Sequence, residues 1–252
     1  MAQKRVLITG MSGLIGGAVR RRLEGKYALR ALNRRSVPGV ECHRADIADL
    51  EAILPAFNGV DTVVHLAASI RGGWEEMLRH NIIGTYHVFE ASRRAGVARV
   101  VYASSGSTIV GWEREMPYRA LAEGRYEEAS EGWTMLTHET PVRPGGLYGC
   151  SKVWGEALAR HFTDTSDLSI LCLRIGAVLK EDRPQQTRHV PVWCSQRDIA
   201  RLVERCIEAP GEVRFDIFYA VSNNRWNYRD MAHAREVLGF AAEDSVEERF
   251  GE

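Results

Sequence analysis

An α/β fold built on a doubly wound parallel sheet is predicted by two features of the sequence. Short apolar, β-branched runs alternate with helical stretches through the first half of the chain. The first of those runs leads straight into a glycine-rich turn that opens a helix. Strands apolar on both faces and separated by helices belong in a parallel sheet covered on both sides. At 252 residues the chain is long enough for one large domain with a substantial core and short for two.

The elements follow in order. The first strand is Arg5–Thr9, and the turn after it, "TGMSGLIG", sets Gly10, Gly13 and Gly16 at three-residue intervals before a helix over Leu14–Glu24. Gly10 permits the tight turn, Gly13 lets the backbone approach a pyrophosphate, and Gly16 lets helix and strand pack closely. Phosphates then meet free amides, around Ser12, Leu14 and Ile15, at the positive end of the helix dipole. This is a Rossmann-like dinucleotide turn. The second strand, Ala28–Leu32, ends in "ALNRRS", with Asn33 where an NAD-binding carboxylate is expected and Arg34 and Arg35 next to it. An acid repels a 2′-phosphate whereas a guanidinium binds it, so NADP is the expected cofactor, with NAD as the alternative. Two exposed surface arginines would read the same way. After a further strand, Asp46 and Ile47 in "ADIAD" are placed beside the adenine.

Helices are expected at Asp49–Phe57 and Glu75–Ala95, and strands at Thr62–Leu66 and Arg99–Ala103. Beyond the helix containing Tyr148, Leu168–Arg174 reads as another buried strand. Asp198–Glu208 and Tyr228–Leu238 read as helices, with strand-like Val213–Ala220 between them. The expectation is one domain over residues 1–252, with a short C-terminal substrate-binding extension and substrate-side elements in about 106–147 and 176–252. One segment interrupts the alternation. Trp112–Thr140 is charged, dotted with aromatics and carries a short helix near Tyr118–Ala122. Excursions of more than about 12–15 residues are usually functional loops or disordered ones, so it reads as a lid or as a solvated surface loop.

Composition excludes several classes. The 33 basic and 33 acidic residues cancel, which argues against nucleic acid or an anionic membrane as the main partner. No apolar run approaches the roughly 20 residues that span a bilayer, and "MAQKRVLITG" enters a strand rather than a signal peptide. Five cysteines without C-x-x-C fit reduced thiols, hence the cytoplasm. The eight histidines show no metal-ligand spacing and there is no G-x-S-x-G elbow, so neither a metal site nor a serine hydrolase is expected.

The chemistry is concentrated in "LYGCSK". Tyr148 and Lys152 stand four residues apart, on one face of a helix. A cation held there favours the phenolate and lowers the tyrosine from its ordinary value of about 10, making it a general acid/base.

Together these stretches resemble the extended short-chain dehydrogenases/reductases, the NAD-dependent epimerase/dehydratase family. "TGMSGLIG" looks like its nucleotide turn, "DTVVHLAA" like its fourth strand, "NIIGTYHVFEA" like its central helix, "VVYASS" like its fifth strand and "LYGCSK" like its Tyr-x-x-x-Lys motif. The resemblance implies that Tyr148 is the acid/base, that Lys152 holds the nicotinamide ribose, and that Ser105 hydrogen-bonds the reacting oxygen. It implies that Asn81 supports the lysine through a water, with Ser104 and an ordinary helix residue as the respective alternatives. It also assigns Leu66, Ala67, Ala68 and Ile175 to the cofactor and Ser69, Ser105 and Gly106 to the substrate. A homodimer is implied as well.

Within the family the chain is most similar to the uronate dehydrogenases, which oxidise a free hexuronic acid at C1 to a lactone. "HNIIG", "RPGGLYGCSK", "LRIGAV" and "VPVWCSQRDIARLV" carry this likeness, and only about 75 residues follow Arg174, which favours a small sugar over a nucleotide sugar. Arg188 falls where that subfamily binds the substrate carboxylate. Three positions depart from it: Gly106 replaces an asparagine, and Ala177 and Ile70 replace serines. Fewer polar groups specify hydroxyls less well. The expected function is therefore hydride transfer between a nicotinamide and a small carbohydrate-like substrate. An epimerase or dehydratase with transient hydride transfer, or a non-catalytic NADP-binding regulator, stands as the alternative.

Overall fold

The computed structural model describes residues 3–129 and 132–251. Seven strands form one sheet: β1 (Arg5–Thr9), β2 (Ala28–Asn33), β3 (Glu41–Arg44), β4 (Thr62–His65), β5 (Arg99–Ser105), β6 (Ser169–Ile175) and β7 (Phe215–Ala220). Every pairing is parallel and the order is β3-β2-β1-β4-β5-β6-β7. The order reverses between β1 and β4, and the crevice at their carboxyl ends is where open α/β sheets bind ligands.

The helices are α1 (Leu14–Leu23), α2 (Leu50–Ile53), α3 (Trp74–Met77), α4 (Gly84–Arg94), α5 (Tyr118–Glu123), α6 (Leu147–Thr165), α7 (His189–Val192), α8 (Gln196–Glu208), α9 (Ala232–Leu238) and α10 (Val246–Phe250). Strand alternation sends side chains to two separate cores. Val6 and Ile8 of β1 join Val19, Leu202, Val203 and Phe218 on the α1–α8 face. Leu7 joins Val63, Phe89, Tyr102, Phe162 and Ile170 on the α4–α6 face. β4, β5 and β6 are buried along their whole lengths, as the apolar runs required.

Two helices differ from expectation. The stretch expected as one helix over Glu75–Ala95 is α3 and α4 joined by a π-helical turn, Leu78–Ile83, which carries Asn81. Such turns concentrate at functional sites because they re-aim a side chain. The helix expected from Tyr228 begins only at Ala232: Tyr228–Asp230 is extended and bridges to Leu136, through Leu136 N–H to the Tyr228 carbonyl at 2.8 Å and Asp230 N–H to the Leu136 carbonyl at 2.9 Å. Asp230 accepts from the Ala232 amide at 2.8 Å, which starts the helix there.

The Trp112–Thr140 excursion is not a solvated loop over its described residues. Ile109, Tyr118, Leu121, Leu136, Tyr219 and Tyr228 form a third apolar cluster, with Trp112, Trp133 and Trp226 packed against it. Tyr126 stacks on Trp226 with ring centroids 4.3 Å apart.

Helix α6 lies unusually close to β5 and the turn beyond it. A Cβ on Gly149 would stand 2.5 Å from the Ser107 carbonyl oxygen, and one on Gly155 would collide with the Tyr102 phenol. Tyr102 is fully buried and cannot swing aside. Gly155→Ala would gain about 1 kcal/mol of helix propensity. Overpacking against Tyr102 outweighs that gain, so the variant is expected to lose about 1–3 kcal/mol in urea denaturation. A midpoint at or above wild type would show that helix and strand do not meet so closely.

Candidate active site

The glycine turn holds its shape through side chains of neighbouring strands. Gly10 sits at φ +70°, and a Cβ there would meet the Ala67 amide nitrogen at 2.9 Å. A Cβ on Gly16 would run into the backbone of Gly10 and Met11, whereas Gly13 meets only the Gly10 carbonyl oxygen, at 3.2 Å. The turn is thus closed behind and open in front. No side chain caps α1 and its first turn has no acid, so the amides at Leu14 and Ile15 are free for an anion. Ser12 and Leu14 are exposed beside them. This cradle fits a dinucleotide pyrophosphate.

Asn33 supports the turn from behind. Its Oδ1 accepts from Met11 N–H at 2.9 Å and its Nδ2 donates to Ser12 Oγ at 2.7 Å. Both ends of the amide are therefore engaged within the protein. Arg34 and Arg35 are exposed at the end of β2. Asp46 accepts from Arg79 at 3.0 Å and from the Ala48 amide at 3.0 Å, and these partners hold its carboxyl below the ordinary range despite burial. Ile47 is buried against Gly84.

Between β1 and β4, Thr9 links the turn to the catalytic side. Its hydroxyl accepts from the amides of Leu66 (3.2 Å) and Ala67 (3.1 Å) and bonds His65 Nδ1 at 2.8 Å. Burial first, then the Lys152 charge, push His65 down to about 3, so its ring is neutral. Asn81 spans the gap to α6. Its Oδ1 accepts from Ser69 N–H at 2.8 Å, and its Nδ2 donates to the Ser69 carbonyl at 2.9 Å and to Ser151 Oγ at 3.0 Å. The loop after β4, including Ala68 and Ser69, is thereby tied directly to the helix that carries Tyr148 and Lys152.

The two serines ending β5 point to opposite faces. Ser104 donates to Glu156 Oε1 at 2.5 Å and is occupied by it. Ser105 Oγ accepts from the Ser107 amide at 3.1 Å, which leaves its proton free to donate. Lys152, 2 % exposed, donates to the Ala103 carbonyl at 2.7 Å and lies 5.6 Å from the centre of the Tyr148 ring. Ser105, Tyr148 and Lys152 converge where β5 meets α6, and Ile175 ends the adjacent β6.

The Tyr148 phenol is raised and not lowered as expected. Burial raises it, and a hydrogen bond with Ser105 only partly opposes this. Burial brings Lys152 down to about 7, although the Glu156 carboxylate opposes the shift.

A buried polar group stands behind these residues. Glu156, one turn beyond Lys152, takes two bonds from Arg174 (3.0 and 2.8 Å), and Arg174 donates to Tyr219 Oη at 3.1 Å. Arg188 is bound through two bonds to Glu113 (2.5 and 2.8 Å), which also accepts from Tyr228 Oη at 2.6 Å. Arg188 thus faces a carboxylate of its own chain. Arg229, by contrast, is buried with its guanidinium against Gly106. Ala177 bridges to Trp193, and Ile70 is 64 % exposed.

Sequence reasoning missed Thr9, Glu113, Glu156, Arg174 and Arg229. Arg174 carried a signal: a charge inside the apolar strand "SILCLRI" requires a buried counter-charge. Among the described residues, His138, Asp216 and His233 form one group with metal-ligand atoms, all within 4.8 Å. The two imidazoles stack with centroids 4.0 Å apart and planes 16° apart. His233 Nε2 also bonds Asp216 Oδ1 at 2.8 Å.

The fold and site together define the class: an open parallel sheet with a dinucleotide turn at its switch point and a Ser–Tyr–Lys group beside it. Similarity to known proteins makes it specific. A model of the NAD dependent epimerase/dehydratase family matches residues 6–237, and the chain belongs to that family. It is 34 % identical over 255 residues to the NAD-dependent glucose-6-phosphate dehydrogenase of Haloferax volcanii, covering 96 % of this chain and 94 % of that protein. It is 33 % identical over 250 residues to the uronate dehydrogenase of Pseudomonas putida, covering 96 % and 85 %. The crystal structure of uronate dehydrogenase from Agrobacterium tumefaciens superposes with a TM-score of 0.82 at 32 % identity, over 98 % of this chain and 87 % of that one.

The lysine yields a pH prediction. A group whose pKa is lowered on folding from 10.5 to about 7 binds fewer protons in the folded than in the unfolded chain between those values. Stability therefore rises with pH there, by up to about 1.4 kcal/mol per pH unit. From pH 7 to 8.5, denaturation of the cofactor-free protein should show this rise, and Lys152→Met should flatten it. Parallel pH profiles would mean that the ammonium stays charged in the fold.

Proposed function

We propose that the protein is a nicotinamide-dependent dehydrogenase that oxidises a small sugar at a C–H bearing hydroxyl, in the manner of the uronate and sugar dehydrogenases. The observation that carries this is the convergence of Ser105, Tyr148 and Lys152 at the β5–α6 junction, beside a phosphate-ready turn. The nicotinamide, when bound, supplies the hydride acceptor. The chain's own residues manage the proton. Ser105 donates a hydrogen bond to the sugar oxygen, and Tyr148 Oη takes the hydroxyl proton as the C–H bond breaks. Lys152 fixes the position of the phenol and adds positive charge beside it. Because burial holds the phenol high, oxidation is expected to speed up as pH rises above neutral.

The cofactor reading is NADP, with NAD also used. Arg34 and Arg35 are exposed at the end of β2, and no acid stands at Asn33 to repel a 2′-phosphate. Arg34, Arg35, Asp46 and Ile47 are assigned to the adenosine side, and Leu66, Ala67, Ala68 and Ile175 to the nicotinamide side. The names of the relatives, a glucose-6-phosphate dehydrogenase and a uronate dehydrogenase, support C1 of an aldose as the reacting carbon. Free thiols at all five cysteines support a reducing compartment, the cytoplasm. The exposed Ile83 and Tyr86 support a second copy packing near α4 to form a homodimer.

Initial rates with NADP and NAD against uronates, aldoses and sugar phosphates provide the test. The wild type should reduce cofactor with at least one aldose. Tyr148→Phe should bind cofactor and lose about 10²–10⁴-fold in rate, and Arg34→Ala should weaken NADP far more than NAD. Near-wild-type turnover by Tyr148→Phe would remove the phenol from the mechanism, and equal effects of Arg34→Ala on both cofactors would end the phosphate assignment.

A further inference from the structure

We propose that Arg229 binds an anionic group on the sugar, a carboxylate or a phosphate, and that position 106 is glycine to make room for it. This rests on the dehydrogenase reading above and names the substrate class that the site selects.

Arg229 is the unusual cation of the molecule. It is 2 % exposed, and its Nε and Nη1 are buried without a hydrogen-bond partner. The other deeply buried arginines are satisfied. Arg174 has Glu156 and Tyr219, and Arg99 has Ser169 and several backbone carbonyls. Among the described residues no carboxylate pairs with Arg229; its aromatic neighbour is the face of Tyr228, 5.8 Å away. A buried guanidinium with open donors and no counter-ion is unfavourable unless a ligand completes it.

Its backbone is fixed. The extended segment is pinned to Leu136 on both sides, Asn227 Oδ1 accepts from the Arg229 amide at 2.9 Å, and Asn227 Nδ2 donates to its carbonyl at 2.7 Å. The guanidinium is thereby held against Gly106, one residue beyond Ser105. A Cβ on Gly106 would collide with Nη1 and lie 2.6 Å from Cζ and Nη2. The volume that any side chain at 106 would need is therefore the volume the guanidinium fills. Where an asparagine at 106 would offer a neutral amide, the Arg229 guanidinium occupies the same place and offers a charge.

Arg188 does not compete for this role. Glu113 accepts two bonds from it and so balances its charge inside the protein. Of the two arginines, Arg229 has the unbalanced charge and the unpartnered donors, and a guanidinium suits a carboxylate or phosphate.

The test compares wild type and Arg229→Met with glucuronate, glucose 6-phosphate and glucose, which are carboxylate, phosphate and neutral forms of one aldose. The kcat/KM ratio of the preferred anionic sugar to glucose should fall at least 100-fold in the variant, chiefly through KM, while its melting temperature rises because an uncompensated charge has gone. The sugar whose ratio collapses identifies the anion. An unchanged ratio, or equal losses on all three sugars with a lower melting temperature, would overturn the proposal in favour of a structural arginine. If the wild type oxidises none of the three, the dehydrogenase reading fails separately. Calorimetric titration with glucuronate and inorganic phosphate then decides: binding that disappears in Arg229→Met supports the anion site, and identical isotherms overturn it.

Discussion

The close approach of α6 to β5 is the constraint on which the site depends. Gly149 and Gly155 let the helix backbone approach the Ser107 carbonyl and the Tyr102 ring at distances that a methyl group would forbid. Only at that separation do Tyr148 and Lys152, on one helix, meet Ser105, at the end of a strand. Catalytic groups must be held within a few tenths of an ångström, and rigid elements hold them better than loops do. The π-turn adds a second tie, since Asn81 bonds both the loop after β4 and Ser151 of α6.

Close packing makes the charges interdependent. Lys152 is buried and donates to a backbone carbonyl, so it keeps its proton only with the help of Glu156. Glu156 is in turn held by Arg174 and Ser104. Breaking a buried pair of this kind leaves an uncompensated charge and costs several kcal/mol. Lys152 is therefore set as much by Glu156, one turn along its own helix, and by the partners of that carboxylate as by the tyrosine beside it. At Arg188 and Arg229 the logic reverses. Glu113 balances Arg188, and Arg229 is left open, a local cost to stability of the kind that binding sites retain.

Much of this was legible in the sequence, and the reasons are physical. Parallel strands buried on both faces leave continuous apolar runs, and a phosphate turn requires glycine at fixed positions, so the sheet, the nucleotide turn and the Tyr–Lys spacing could all be read. The helix break at Asn81 could not, because "RHNIIGTYH" has ordinary helical periodicity and the π-turn is imposed by tertiary bonds. Nor could the extended path at Tyr228–Asp230, which is set by pairing with Leu136, far away in the chain. That path carries Arg229 to Gly106, whereas the family resemblance directs attention to Arg188. Local spacing also predicts a neighbouring charge but not the burial of the phenol itself, which is why Tyr148 is raised and not lowered.

The central claim is that the Ser105–Tyr148–Lys152 site removes hydrogen from C1 of an aldose and does not return it. The most direct test is turnover of a sugar deuterated at C1, followed by mass spectrometry of both products. Deuterium recovered on the released, reduced nicotinamide and absent from the sugar product is the predicted result. Deuterium retained in the sugar, with the cofactor unchanged overall, would contradict it and identify an epimerase chemistry in its place.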